Sequence, residues 1–166
     1  RRVLFRSAYE VTRTIHQRPF RVREHLQRLF HTLNVLRIDP GLDLDRLERA
    51  TIDTLARNLP TEASDVDWNI IHNVSRGPSG GFLDAFVPAE RRPTIVISCY
   101  PLHHKLASLA EAYESGLDVL VPDQRAIPSA LIDASIKTRS RWYFQLANLQ
   151  IEQRQRGAWP VLVDPD

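Results

Sequence analysis

A single cysteine, Cys99, leaves no room for an internal disulfide framework and suits a reducing compartment, so a cytoplasmic location is expected. Its neighbours Ile95, Val96 and Ile97 read as a strand, which favours a buried structural thiol over a nucleophile. Methionine is absent altogether, and the native start of the chain is expected upstream of Arg1. No apolar run approaches the roughly 20 residues that cross a bilayer. Arg1-Arg-Val-Leu-Phe-Arg6 has too short an apolar interior for a secretion signal, so no membrane association is expected. Neither sign of charge dominates: 22 Lys and Arg stand against 20 Asp and Glu. Arg and Glu alternate, as in Arg21-Val-Arg-Glu-His-Leu-Gln-Arg28, and no basic stripe is interleaved with aromatics. A nucleic-acid partner is therefore not expected. His103 and His104 are adjacent, so their side chains diverge on a strand or a helix, and no third ligand lies nearby in sequence. No metal is expected.

What is present is an ordinary globular composition, 43% hydrophobic and 25% charged, over 166 residues. That length fits one domain or parts of two. Tyr9-Glu-Val-Thr-Arg-Thr-Ile15 alternates as a strand, with Tyr9, Val11, Arg13 and Ile15 on one face and Glu10, Thr12 and Thr14 on the other. A turn is expected over His16–Pro19, with a short return strand at Phe20–Val22. Leu26, Leu29, Phe30, Leu33 and Leu36 then mark the apolar stripe of a helix from about Arg23 to Arg37. Pro40-Gly41 ends it, and Asp43 is placed to cap a second helix reaching about Asn58. Strands are expected at Trp68–Val74, Thr94–Cys99, Leu117–Val121 and from Trp159. Ser75–Gly81 is a glycine-rich exit that lacks the ending of a P-loop and the spacing of a dinucleotide fingerprint. Phe82–Arg92 reads as an excursion, and Pro101–Ser115 as a crossing between two structural units.

Lys137 follows the apolar lead-in Ala134-Ser135-Ile136 and precedes a helical pattern carrying Trp142, Leu146 and Leu149. A solvated lysine at a helix start is one reading. The other is a nucleophile, because a lysine placed where a buried strand hands over to a helix is costly unless paired or neutralised. An amine attacks a carbonyl only when neutral, and burial or a neighbouring cation favours that form.

Three segments, in order, resemble the class IV aminotransferases, the fold-type IV pyridoxal-phosphate enzymes. Tyr9-Glu-Val-Thr-Arg13, followed by His25-Leu-Gln-Arg28-Leu29, is similar to the family's Phe/Tyr-Glu-x-x-Arg strand and His-Leu-x-Arg-Leu helix. Val74-Ser-Arg76-Gly77 is similar to its Val-Thr-Arg-Gly strand end, and Ile136-Lys137-Thr138 to its Schiff-base lysine segment. The resemblance implies an α/β (α+β) fold. Residues 1–110 would form the small N-terminal domain and residues 111–166 the beginning of the pyridoxal-phosphate domain. It also implies that Lys137 forms the Schiff base and shuttles the proton. Arg28 would bind the cofactor phosphate, and Tyr9 and Arg13 would line the substrate side. A solvated helix position remains the alternative for Arg28, and an ion pair within the sheet for Arg13. Arg76 is given no site role.

The implied activity is amino transfer between an amino acid, branched-chain or otherwise hydrophobic, and a 2-oxo acid, in a homodimer. An aminodeoxychorismate lyase-like enzyme and a non-catalytic fragment are the alternatives. Three departures accompany the resemblance. Arg1-Arg-Val-Leu-Phe-Arg-Ser7 replaces the small residues the family carries before its first strand, so residues 1–7 are expected to be non-native. Trp142 stands where the family often has a tyrosine. The family's glutamate for the pyridinium nitrogen would lie beyond Asp166, so an N-terminal fragment that is inactive by itself is expected.

Overall fold

The computed structural model describes residues 7–77 and 92–164. The expectations placed on residues 1–6, on the excursion after Arg76-Gly77 and on the final Pro165-Asp166 lie outside the described residues. Two compact units are present. One holds the described residues up to Lys105 together with Lys137–Ser140, and the other holds Leu106–Ile136 with the described residues from Arg141 onward.

The first unit is built on a four-stranded antiparallel sheet with strand order β2-β1-β3-β4. Its strands are β1 (Ser7–Ile15), β2 (Arg18–Pro19), β3 (Trp68–Ser75) and β4 (Thr94–Pro101). Two helices, α1 (Val22–Val35) and α2 (Leu44–Asn58), pack against β1 and β4 and against each other. The leucine periodicity of α1 does what it predicts: Leu26, Leu29 and Leu33 are buried and join Ala8, Val22, Ile38, Leu47 and Val74 in the main core. Each such leucine contributes about 1.5–3 kcal/mol by leaving water. Asp43 caps α2 as expected, its carboxylate accepting a hydrogen bond from the Arg46 backbone N–H at 2.8 Å. Leu55, Trp68 and Ile70 form a second buried cluster, against which the half-buried Cys99 packs. Burial pushes the Cys99 thiol pKa up, as suits a structural thiol.

The alternation of β1 is as read, but its buried side is the polar one. Ala8, Glu10, Thr12 and Thr14 face the helices, while Val11, Arg13 and Ile15 look outward. The inward threonines are satisfied in place. Thr12 Oγ1 donates to the Phe20 carbonyl at 2.7 Å. Thr14 Oγ1 donates to Asp67 at 2.7 Å and accepts from the Trp68 backbone N–H at 2.8 Å. A buried hydroxyl with both roles filled costs little.

The hairpin after β1 differs from expectation. Its loop is the two residues His16 and Gln17, and the return strand is Arg18–Pro19, not Phe20–Val22. Both loop residues sit at positive φ, 50° and 60°, the conformation that suits a tight hairpin. Neither is glycine or asparagine. Asp67 stabilises the strained turn from fifty positions away, accepting from the Gln17 backbone N–H at 3.0 Å.

In the second unit, α4 (Ala110–Ser115) and α5 (Trp142–Arg154) accompany a two-stranded parallel pair, β5 (Val119–Leu120) and β6 (Trp159–Pro160). The short α3 (His103–Ala107) precedes α4. The expected inward stripe of α5 is reversed. Trp142, Leu146 and Leu149 are exposed, and Ala147 and Ile151 are buried. Apolar residues occur all round this helix, so periodicity alone could not choose the buried side. Leu131 and Ile132 are exposed residues of a turn, so no buried strand leads into Lys137. Among the described residues, no helix is long and apolar enough to cross a membrane. No group of three or more His, Cys, Asp or Glu side chains is gathered among them either.

Candidate functional site

Lys137 lies on an extended segment added to the beginning of β1. The Tyr9 backbone N–H donates to the Lys137 carbonyl at 3.2 Å, and the Arg139 N–H donates to the Ser7 carbonyl at 3.1 Å. Ala8 and Thr138 form the antiparallel bridge between those two bonds. From α1, Thr32 Oγ1 accepts the Lys137 backbone N–H at 3.3 Å. The lysine is thus fixed from two sides while its side chain stays outside the helix ladder, which begins only at Trp142.

An extended backbone sends residues i and i+2 to one side. Lys137 and Arg139 accordingly share the outer side of the sheet, over Tyr9. The Lys137 Nζ is 4.7 Å from the centroid of the Tyr9 ring and the Arg139 Cζ is 4.1 Å from it. Both distances are in the range of cation–π attraction. Tyr9 itself is buried. Asn73, the cross-strand partner of Tyr9, fixes the guanidinium further. Its Oδ1 accepts from Arg139 Nε at 3.0 Å and from Nη2 at 2.8 Å.

The other expected residues lie apart from this group. Arg13 is on the same outer face of β1, one full alternation beyond Val11. Its Nη2 is 3.6 Å from Asp67, and its Nε donates to the Thr14 carbonyl at 3.1 Å. Arg28 belongs to the helix side. It makes a two-pronged bond to the fully buried Glu10, from Nε at 2.7 Å and Nη2 at 2.6 Å. His25 Nδ1 stands 3.2 Å from the same carboxylate, and the Val11 backbone N–H donates to it at 2.9 Å. Burial works to raise the Glu10 pKa, but the bonds from Arg28, Val11 and His25 outweigh it and hold the carboxyl below its ordinary value. The hydrogen bonds from Glu10 raise the Arg28 pKa in turn, against its partial burial. Arg28 is not bonded to Lys137, but it precedes by one helical turn the threonine that holds the Lys137 backbone. Arg76 braces the strand end by donating to the Leu36 carbonyl.

The structure therefore brings Lys137 and Tyr9 together, and leaves Arg13 and Arg28 in ion pairs of their own. Glu10, Asn73 and Arg139 are participants that the sequence reading did not single out. The Lys-x-Arg spacing of Lys137 and Arg139 carried the signal for one of them, because two cations that alternate on an extended segment must share a face.

A mixed fold that holds a lysine against the first strand through its aromatic residue defines a recognisable class. The amino-transferase class IV family matches residues 7–166, and the chain belongs to it. Among curated relatives, the branched-chain-amino-acid aminotransferase of Escherichia coli K12 is 29% identical over 117 residues, 70% of this chain and 35% of that protein. Among solved structures, the PLP-bound form of a hypothetical aminotransferase from Mycobacterium tuberculosis superposes with a TM-score of 0.72. The match is 22% identical and covers 99% of this chain and 54% of that one. The branched-chain amino acid aminotransferase of Thermobaculum terrenum gives a TM-score of 0.73 at 18% identity, covering 98% of this chain and 51% of that one. The fold is that of these aminotransferases, and the chain spans about half the length of the structures and about a third of the curated relative.

Proposed function

We propose that the protein transfers an amino group between a hydrophobic amino acid and a 2-oxo acid, with pyridoxal phosphate attached at Lys137. The observation that carries this reading is the placement of Lys137. Its amine rests on the Tyr9 ring, half-buried, and no carboxylate among the described residues pairs with it. A lysine tied in an ion pair would resist attachment to a carbonyl.

The remaining residues fit an aromatic aldehyde carrying a phosphate. Arg28 spends its Nε and Nη2 edge on Glu10 and stays half exposed, which leaves Nη1 for an anionic oxygen. Glu10 sets the orientation of that guanidinium. When bound, the cofactor supplies an electrophilic carbon and an electron sink for the substrate α-carbon. Lys137 Nζ, once displaced from the cofactor by the incoming amine, would be the group placed to hold and move a proton at the substrate α-carbon. Tyr9 supports the amine and shields it from water. Val11 and Ile71 are half-buried on the same outer face, and Val96 is exposed there. Together they offer an apolar surface for a branched side chain, consistent with the branched-chain relatives. Arg13 borders that face, and a homodimer remains part of the proposal by the same resemblance.

The test is Lys137→Ala in the full-length protein. Loss of the cofactor absorbance band, and of transfer to 2-oxoglutarate by at least a factor of about 10³, is expected of an attachment lysine. Borohydride reduction followed by peptide mapping should place the label on Lys137. A variant that keeps both band and transfer sinks the proposal. Release of pyruvate in place of amino transfer would favour the lyase.

A further inference from the structure

We propose that Arg139 is the carboxylate-binding residue of the site, holding the carboxylate of the amino acid or 2-oxo acid while Lys137 acts at the neighbouring carbon. The inference rests on the function proposed above for Lys137. It is carried by three observations about the guanidinium.

The first is what Arg139 is paired with. The arginines Arg13, Arg23, Arg28 and Arg154 each have a carboxylate partner. Arg139 is half-buried and bonded to an amide oxygen and an aromatic face, both neutral. No carboxylate among the described residues joins it. A half-buried cation with only neutral partners has given up part of its hydration without gaining a counter-charge. Lys137 stands over the same ring in the same condition. Two such cations against one aromatic ring form a site of positive potential suited to an anion.

The second is geometry. Asn73 takes the Nε hydrogen and one hydrogen of Nη2. What remains is Nη1 and the second Nη2 hydrogen, the end-on fork that matches the two oxygens of a carboxylate. The Tyr9 ring and the Asn73 amide hold the plane of the guanidinium from its face and from its inner edge, so little ordering cost remains for binding.

The third is position. Arg139 is two residues from Lys137 on an extended segment, so both side chains lie on one side of the sheet. The amino acid and the 2-oxo acid each carry a carboxylate directly on the reacting carbon. An anion receptor beside the lysine is where that group has to go. Arg13 and Arg28 already have carboxylate partners, Asp67 and Glu10.

The experiment compares isocaproate, an unreactive hydrophobic carboxylate, with isocaproamide, its neutral isostere. Dissociation constants are measured by calorimetry on the cofactor-loaded full-length protein, in the wild type, Arg139→Gln and Arg139→Lys. The wild type is expected to favour isocaproate. R139Q should weaken isocaproate by roughly 10- to 100-fold, the range for one charge-assisted pair, and leave isocaproamide unchanged. R139K, which keeps the charge and loses the fork, should fall between them. The KM for the 2-oxo acid should rise in R139Q by a similar factor. An R139Q protein that keeps both its cofactor absorbance and its preference for isocaproate overturns the inference, as does a wild type with no preference. Loss of cofactor absorbance in R139Q, with R139K normal in absorbance but unchanged in carboxylate preference, also overturns it in favour of a bracing role. An unaffected Lys137→Ala protein would instead sink the underlying reading, so the two failures are told apart.

Discussion

Acidification should destabilise the first unit through His72. The imidazole is completely buried on β3, directly across from Glu10 on β1. Its Nε2 stands 2.8 Å from Thr51 Oγ1, and that hydroxyl donates its own proton to the Leu47 carbonyl at 2.7 Å. Thr51 can therefore only accept, which assigns the proton to Nε2. Among the described residues, Nδ1 has no hydrogen-bond partner. Charging the ring would add a second N–H that no acceptor among the described residues meets. Burial accordingly lowers the His72 pKa from its ordinary 6.5 to about 4, with the Glu10 charge pulling upward and His25 pushing down. A depressed folded pKa means that the unfolded chain takes up the proton first. The stability is present above pH 6.5 and is lost as the pH falls toward 4. The full window is worth about 3 kcal/mol, of which about 2 kcal/mol is gone by pH 5. Urea unfolding followed by far-UV circular dichroism should show the midpoint falling by about 1–2 M between pH 7 and pH 5. His72→Gln keeps a donor for Thr51 and does not titrate, so its midpoint should stay nearly level over that interval. A wild type as stable at pH 5 as at pH 7 would refute the reasoning, and so would an equal pH slope in the variant.

The Glu10–Arg28 pair should respond unequally to its two truncations. Arg28→Ala strands a fully buried carboxylate and is expected to cost about 3 kcal/mol, whereas Glu10→Gln leaves a half-exposed guanidinium and should cost about 1–2 kcal/mol. Denaturant midpoints at neutral pH decide the order, and an equal cost would mean that Glu10 is hydrated on loss of its partner. Because the Glu10 pKa is lowered, its own contribution is present above its ordinary value of 4.5 and is lost on further acidification. Gly77 holds φ at +92°, and a Cβ there would press on the Arg92 carbonyl, whose carbon would lie 3.1 Å away. Gly77→Ala should therefore cost about 2 kcal/mol or more, against about 1 kcal/mol for Gly41→Ala, which meets nothing within 4 Å. Thermal unfolding of the two variants side by side checks this.

The parts of the fold legible in the sequence are those set by local period. Leu26, Leu29 and Leu33 repeat on one face of α1 and are buried there, and Asp43 starts α2. What misled is set by distant residues. His16 and Gln17 do not announce a two-residue turn, because the partner that stabilises it is Asp67. The helical start imagined at Lys137 hid its alternation with Arg139, since the extended backbone there is imposed by pairing with Ser7 and Tyr9. The role expected of Arg28 was read from a motif that includes Glu10 but does not say that the two residues pair. That glutamate sits eighteen positions earlier and looks like an outward strand residue until α1 covers it.

β1 separates two tasks by the parity of its residues. The even positions carry what the helices need: Ala8 fills the core, Glu10 anchors Arg28, and Thr12 and Thr14 close backbone and side-chain bonds. The odd positions form the face proposed above for the site: Tyr9 lies against both cations, with Val11 and Arg13 further along the same face. This explains why the polar side of the strand is buried. On the proposed function the outer face would have to stay accessible and keep an aromatic and apolar surface, and the helices pack on the face that remains. Its polarity is tolerable because each hydroxyl and the carboxylate have partners at hydrogen-bond distance. Substitutions at even positions should accordingly shift unfolding and leave carboxylate recognition intact in the surviving folded protein. Substitution of Tyr9, which is buried and also lies against both cations, should shift both unfolding and carboxylate recognition.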